Sequence, residues 1–419
     1  MAWLNIFNLV IGILFSVCYL YQYVYMILAH VKKPKIFPKT EHLHRFAILS
    51  SARNEETVIG QLCDSIRAQS YPASLIDVYV IADNCTDRTA DVARAHGATV
   101  FERNDPEHVG KGYALQCALE RIRRERGEDA YDGYFVIDAD NLLDPDYVAE
   151  MNRAFSQGHR VVTSYRNSKN YGDNWISAGY SLWFLREARH LNAVRQLLGV
   201  GCVVAGTGFL IHKDIIKEQG GWKHFLMTED IEFTAERILC GEKIAYCHAA
   251  VFYDEQPVSF RQSWRQRARW AKGYLQVLRV YGGRLLRACF KGNFSAFDLL
   301  MSLSPAYFIS LLSVSVHLGA LVYGAIAMPS ALPGILTGLL IIAVSAYLLV
   351  LLVAVSVMLL ERKRIHATVM QMILSVLTLP FFIATYIPIS ASAIFSRAEW
   401  KPIRHTVGIS IDDLNQSKK

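Results

Sequence analysis

Polar and apolar positions follow two different rhythms along this chain. Residues 3–28 and the region from about 299 to 395 are long apolar runs, nearly free of charge apart from Glu361-Arg362-Lys363-Arg364. Between them the apolar positions come in short bursts separated by polar turns. Short β-branched and aromatic bursts predict buried strands, while spacings of three and four predict helices. Strands are expected at 46–51, 76–82, 99–102, 134–141 and 160–164, with helices at 57–69, 86–96, 113–125 and 145–155. This alternation predicts an α/β fold with a parallel sheet and right-handed crossovers. Further on, 175–198 is a long amphipathic stretch, 231–240 a helix, and 260–287 an amphipathic helix heavy in arginine, tryptophan and tyrosine.

The run 3–28 is long enough to span a bilayer and lacks the basic start and cleavage site of a signal peptide. Tyr21, Tyr23 and Tyr25 suit an interfacial belt, and Lys32, Lys33, Lys35 and Lys39 follow at once. The positive-inside rule then puts the N-terminus outside and the next domain in the cytosol. Runs 299–328 and 332–360 read as a membrane hairpin. The last run, 369–395, is interrupted by Pro380 and Pro388. If it spans, the tail lies outside, yet Arg397, Lys401 and Arg404 argue for inside. The reading adopted is a broken, partly interfacial segment and a cytosolic tail. The expected divisions are a transmembrane helix (1–30), a basic linker (31–45), a cytosolic α/β domain (46–258), amphipathic interface helices (259–298), membrane or interfacial helices (299–396) and a tail (397–419).

Composition sharpens this picture. The 419 residues allow two or three domains. A formal net charge of +7, with basic residues beside the apolar runs, suits an anionic membrane surface and an anionic substrate rather than nucleic acid. The eight cysteines form no Cys-x-x-Cys pair and read as reduced thiols. Cys240, Cys247 and His248 are close in sequence but make a weak zinc set.

Candidate chemistry sits where the expected strands end. The stretch 134–141 finishes in Asp138-Ala139-Asp140. Alternation on a strand sends both carboxylates to one face, where a hard cation such as Mg2+ relieves their repulsion and keeps substrate phosphates in its shell. A polar turn is the other reading. The first strand ends in Ala52-Arg53-Asn54-Glu55-Glu56 and the second in Asp83-Asn84-Cys85-Thr86-Asp87. Asn54 and Thr86 read equally as helix N-caps. Three successive strands ending in carboxylates go beyond that. Lys111, between Gly110 and Gly112, pairs a charge with backbone able to approach phosphate, although the Walker spacing is absent. Thr228-Glu229-Asp230 opens a helix, where Asp230 is a candidate general base and the trio a plain cap. Gln266, Arg269 and Trp270 share a helix face, so arginine can clamp a diphosphate and tryptophan stack on a sugar. An interfacial helix on anionic lipid accounts for part of the same pattern.

In this order, Asp83, Asp138-Ala139-Asp140, Thr228-Glu229-Asp230 and Gln266-x-x-Arg269-Trp270 resemble the membrane-integrated, processive family-2 glycosyltransferases, the hyaluronan, chitin, cellulose and poly-N-acetylglucosamine synthases. The resemblance runs from about residue 46 to 274. It implies a GT-A fold, a nucleotide-sugar donor such as a UDP-sugar, Mg2+ or Mn2+, inverting transfer, a polysaccharide or glycolipid acceptor, and a multi-pass plasma-membrane location. It implies that Asp83 contacts the nucleoside base and that Ala52, Asn54 and Glu55 line the same pocket. Lys111, Gln266 and Arg269 should face the diphosphate, Asp138 the ribose or sugar, and Asp140 the metal, with Asp138 beside it. Asp230 should deprotonate the acceptor, Trp270 should floor the acceptor site, and Glu229, Gly206 and Thr207 should border it. Glu399-Trp400-Lys401-Pro402-Ile403-Arg404 is similar to a gating segment, with Trp400 and Arg404 as its candidate residues, but the Trp-Gly-Thr-Arg run is missing. Polymer synthesis with export is the leading expectation. Addition of one sugar to a lipid is the alternative, and intact carboxylates at every expected place disfavour a non-catalytic scaffold.

Overall fold

The computed structural model describes residues 2–395 and 405–416. Its soluble part is built on one eight-stranded sheet: β1 (Phe46–Ala52), β2 (Ile76–Asp83), β3 (Thr99–Arg103), β4 (Gly133–Val136), β5 (Leu142–Leu143), β6 (Val161–Ser168), β7 (Phe209–His212) and β8 (Ala245–Asp254). Their spatial order is β3-β2-β1-β4-β7-β6-β8-β5. The sheet is mixed, not wholly parallel. Strands β3, β2, β1 and β4 pair in parallel, but β7 enters antiparallel between β4 and β6, and β5 pairs antiparallel with β8. A buried apolar run looks alike in either direction, so strand polarity was not readable from residue pattern.

Alternation along the central strands separates two cores. Ala47 and Leu49 face α4 (Lys111–Arg126), through Leu115, Ala118 and Ile122. Phe46 and Ile48 face α2 (Ile59–Arg67) and α5 (Tyr147–Phe155), with α3 (Thr89–Ala95) at the margin. Both sheet faces are thus covered, as the near-continuous apolar strands require.

The first face also receives α6 (Trp175–Arg186), followed by a π-helical turn (Glu187–Asn192) and α7 (Ala193–Leu198). Helices α8 (Lys213–Gln219) and α9 (Glu229–Leu239) lead to the long α10 (Phe260–Phe290). The remaining helices are α11 (Phe294–Leu303), α12 (Pro305–Ala327), α13 (Leu332–Glu361), α14 (Val369–Ala384), α15 (Tyr386–Phe395) and α16 (Ile411–Gln416), while α1 (Ala2–Val31) precedes the sheet. Among the described residues four helical stretches, Trp3–Val31, Phe294–Ala327, Pro329–Arg364 and Val369–Phe395, are long and apolar enough to cross a membrane.

Buried polar ties lock these helices to the sheet domain. Arg195 donates to both carboxylate oxygens of Asp298, at 2.8 and 2.7 Å, and the hydroxyls of Tyr21 and Tyr25 donate to the same carboxylate at 3.0 Å. Arg267 is buried against the rings of Phe382 and Tyr386 and donates to Thr385 at 2.8 Å. The last apolar run is interrupted at Thr385, between α14 and α15. Pro388 has no N–H to offer the carbonyl four residues back. The described tail then returns to the sheet, where Ile411 and Leu414 pack on Leu142 and Tyr253.

Candidate active site

A cavity of about 1040 Å³ opens at the C-terminal ends of β1 and β2 and continues between the membrane-capable helices. Its sheet end is walled by Ala52, Glu55, Asp83, Lys111, Asp138 and Asp140, and its inner end by Gly206, Glu229, Asp230, Gln266, Arg269 and Trp270. Twelve of the residues singled out from sequence therefore meet in one space. Asn54 and Thr207 do not line it. Asn54 adopts a left-handed backbone (φ 60°) and accepts from the Thr86 N–H at 2.8 Å, so it ties two turns together instead of capping a helix. Thr207 is buried, donates to Asn141 at 2.6 Å and accepts from the Asp138 N–H at 2.8 Å, which positions the acidic turn from behind. Trp400 and Arg404 lie outside the described residues.

The acidic turn differs from expectation. Strand β4 stops at Val136, and Asp138-Ala139-Asp140 is a turn closed by the Asn141 N–H on the Asp138 carbonyl at 3.1 Å. The turn, not strand alternation, brings both carboxylates to the cavity. Asp138 takes a salt bridge from Lys111, whose ammonium also donates to the Gly206 carbonyl at 2.7 Å. Burial pulls the Lys111 pKa down, but Asp138, Glu229 and Asp230 outweigh it and hold the ammonium charged. Asp140 is buried and accepts from the Glu255 N–H at 3.0 Å. Burial raises its pKa, but His405 and Lys169 more than offset this and keep it below the usual carboxylate range.

Lys111 is placed by its glycines, each in its own way. Gly110 has φ 145°, a backbone closed to most side chains. A Cβ at Gly112 would lie 2.1 Å from the His224 carbonyl oxygen, so this glycine serves packing rather than phosphate approach. At the end of β2, Asp83 is buried and accepts from Arg103 at 2.6 Å. Burial raises its pKa, with Arg103 opposing.

Glu229 and Asp230 open α9 on the far side of Lys111. Burial and the neighbouring Asp230 raise Glu229 to about 7, and burial raises Asp230. Lys111 and Arg269 pull both back down. Two adjacent half-buried acids of this kind titrate as a pair. Thr228 makes no side-chain cap, so the trio is not a plain capping motif. Arg269 donates to the Met227 carbonyl at 3.2 Å, and Gln266 has a buried side-chain oxygen with no partner among the described residues. The Trp270 ring stands edge-on to Tyr180 and Phe184, with centroids 5.8 and 6.2 Å away.

Several charged groups here escaped the sequence reading. Arg166 pairs with Asp254 and lies over the Phe184 ring at 3.6 Å. Lys169 is buried near Asp140, and His405 meets the Glu55 carboxylate at 2.9 Å. Burial lowers the His405 pKa, but Asp140 and Glu55 outweigh it and lift it to about 10. Asp254-Glu255 at the end of β8 repeats the strand-then-carboxylate signal and could have been found by it. His405 carries no local signal. Among the described residues no three His, Cys, Asp or Glu side chains converge as a ready-made metal cage, Cys240, Cys247 and His248 included.

A profile of the glycosyltransferase-like family 2 matches residues 44–273. The beta-monoglucosyldiacylglycerol synthase of Nostoc sp. is 25% identical over 275 residues, 63% of this chain and 56% of that protein. The poly-beta-1,6-N-acetyl-D-glucosamine synthase of Staphylococcus aureus is 24% identical over 256 residues, 59% of this chain and 58% of that protein. The chain spans less than two thirds of the length of these relatives. Among solved structures, the mannosyltransferase PcManGT from Pyrobaculum calidifontis, in complex with GDP-Man and Mn2+, aligns over 93% of this chain and 99% of its own. Its TM-score of 0.55 at 17% identity is a likeness of fold.

Proposed function

The chain belongs to the glycosyltransferase-like family 2, and on that premise we propose that it transfers a sugar, with inversion and metal dependence, from a nucleotide sugar to a growing β-linked polysaccharide. The domain works at the cytosolic face of the plasma membrane, and the product leaves between the helices. One observation carries this reading. A single cavity joins Asp83, Lys111 and Asp138 to Asp230 and Trp270, then continues past Tyr307, His317 and Tyr347 into the helices.

Asp83 and Glu55 border the nucleoside end. Lys111 and Arg269 supply positive charge where the leaving diphosphate gathers negative charge. The acceptor hydroxyl gives its proton to the Asp230 carboxylate as its oxygen bonds to the anomeric carbon. The bond from that carbon to the diphosphate breaks, and its electron pair departs with the diphosphate. One displacement from the opposite face gives one inversion. Asp138 faces the cavity with its side chain 38% exposed, and Asp140 is held ionised, a donor set that suits a hard cation sharing ligands with substrate phosphates. Mg2+ or Mn2+ held there would add positive charge at the leaving group.

A second reading, transfer of one sugar to a lipid, is favoured by the apolar inner lining of Val314, Leu339, Ile342 and Val350. Purified protein given labelled nucleotide sugars and Mn2+ separates the two. Long polymer without added lipid supports the first, glycolipid formed only with added lipid supports the second, and no turnover with any donor refutes both.

A further inference from the structure

The wall facing Asp230 carries charged groups that neither the fold nor the transfer step uses. After α6 the backbone widens into the π-helical turn Glu187–Asn192. Such turns are rare and recur at functional sites. Most polar side chains around this turn are occupied. Arg189 donates to the Ala29 carbonyl at 2.7 Å, Asn192 to the Val203 carbonyl at 3.2 Å, and Arg195 to Asp298. Arg186 and Glu187 differ. Both line the cavity. Arg186 lies over the Trp183 ring at 4.5 Å and spends one bond on Gln22 at 2.5 Å. The Glu187 carboxylate forms no hydrogen bond and no salt bridge with any described residue, and burial raises its pKa. Tyr274 lines the same cavity within electrostatic reach of both Glu187 and Asp230.

Arg186 and Glu187 are half-buried, and ionisable groups withdrawn from water without full partners are costly unless a ligand completes them. An acyl chain offers them nothing. A phosphate would satisfy Arg186 but be repelled by the adjacent Glu187. A neutral sugar satisfies both, since its hydroxyls donate to the carboxylate and accept from the guanidinium, while its C–H face packs on tryptophan.

We propose that Arg186 and Glu187, with Trp183, form a subsite for a sugar of a neutral glycan acceptor, next to the one whose hydroxyl meets Asp230. This rests on the reading of Asp230 as the acceptor base. Arg186 ends α6 and Glu187 opens the π-helical turn, and both side chains border the cavity at this junction.

The test uses the purified full chain in nanodiscs with bound UDP, and β-linked tetrasaccharides of glucose and of N-acetylglucosamine as probes, followed by calorimetry. At least one tetrasaccharide should bind saturably. Glu187→Ala should weaken that binding by about tenfold or more, the scale of one charge-assisted hydrogen bond, and Glu187→Gln by less. UDP affinity should move less than twofold in either variant, which also reports intact folding. Wild-type binding that both variants keep unchanged overturns the subsite and leaves the transfer reading standing. No tetrasaccharide binding to wild type overturns the subsite and the polymer reading together. Binding of inorganic phosphate that is lost in Arg186→Met and strengthened in Glu187→Ala overturns the neutral ligand in favour of an anionic one.

Discussion

Replacing Lys111 with methionine keeps the length of the side chain and removes its charge. The ammonium it deletes bridges Asp138 and the Gly206 carbonyl, and it stabilises the ionised forms of Glu229 and Asp230. Each hydrogen bond to a charged group contributes about 1.5–3 kcal/mol. If one such bond passes to the departing diphosphate, kcat/KM for the nucleotide sugar should fall roughly ten- to 150-fold. A second consequence separates charge from shape. Without Lys111 the Glu229–Asp230 pair loses a neighbour that lowers its pKa, so the acid limb of the pH–rate profile should move to higher pH. Stability should follow the same sign. Glu229 has a folded pKa raised from 4.5 to about 7, so its contribution to stability is present below 4.5 and lost as pH rises through about 7. The variant should therefore melt close to wild type at pH 4 and fall behind it at pH 8. Steady-state kinetics from pH 5 to 9 and calorimetry from pH 4 to 9 measure all three effects. A loss of kcat/KM under twofold, with an unmoved acid limb, refutes the role assigned to Lys111.

Other substitutions probe the neighbouring groups. Glu229→Gln should move the acid limb to lower pH, because a carboxylate beside Asp230 is gone; an unmoved limb would detach Glu229 from the titration. Gly112→Ala should cost about 3 kcal/mol of stability by thermal melting, the upper end for overpacking, because its Cβ would meet backbone, which cannot swing aside, at 2.1 Å; a melt within a degree of wild type contradicts that packing. Trp270→Ala should shorten the polymer more than it slows donor hydrolysis, and equal losses would argue against a stacking platform.

The site was largely legible where chemistry follows a strand. Asp83 ends β2, Asp138-Ala139-Asp140 follows β4, and Glu229-Asp230 opens a helix, each marked by acids beside an apolar run. Their convergence in one cavity needed the fold, because residues 83, 138 and 230 sit on elements brought together by sheet order. Strand β8 was overlooked, and with it Asp254 and Glu255. The first half of its ten residues mixes Cys, His and Ala and gives no clean period, and only the burst Val251–Tyr253 before the acids carries the signal. Gly112 looked like a phosphate glycine because its crowding comes from His224, over a hundred residues away. His405 and the π-helical turn were hidden for the same reason, since both depend on contacts distant in sequence. The tail docks beside the acidic turn through Thr406 and Val407, whose N–H groups donate to Glu255 at 2.9 Å.

The anomeric configuration of the product is the most direct measurement of the central claim, a single displacement assisted by Asp230. Protein in proteoliposomes, supplied with an α-linked UDP-sugar and Mn2+, should yield a product whose new linkage is β by NMR. Asp230→Asn should bind UDP as before yet lose transfer by roughly 10²–10⁴-fold. An α-linked product, or undiminished transfer by Asp230→Asn, would contradict the account.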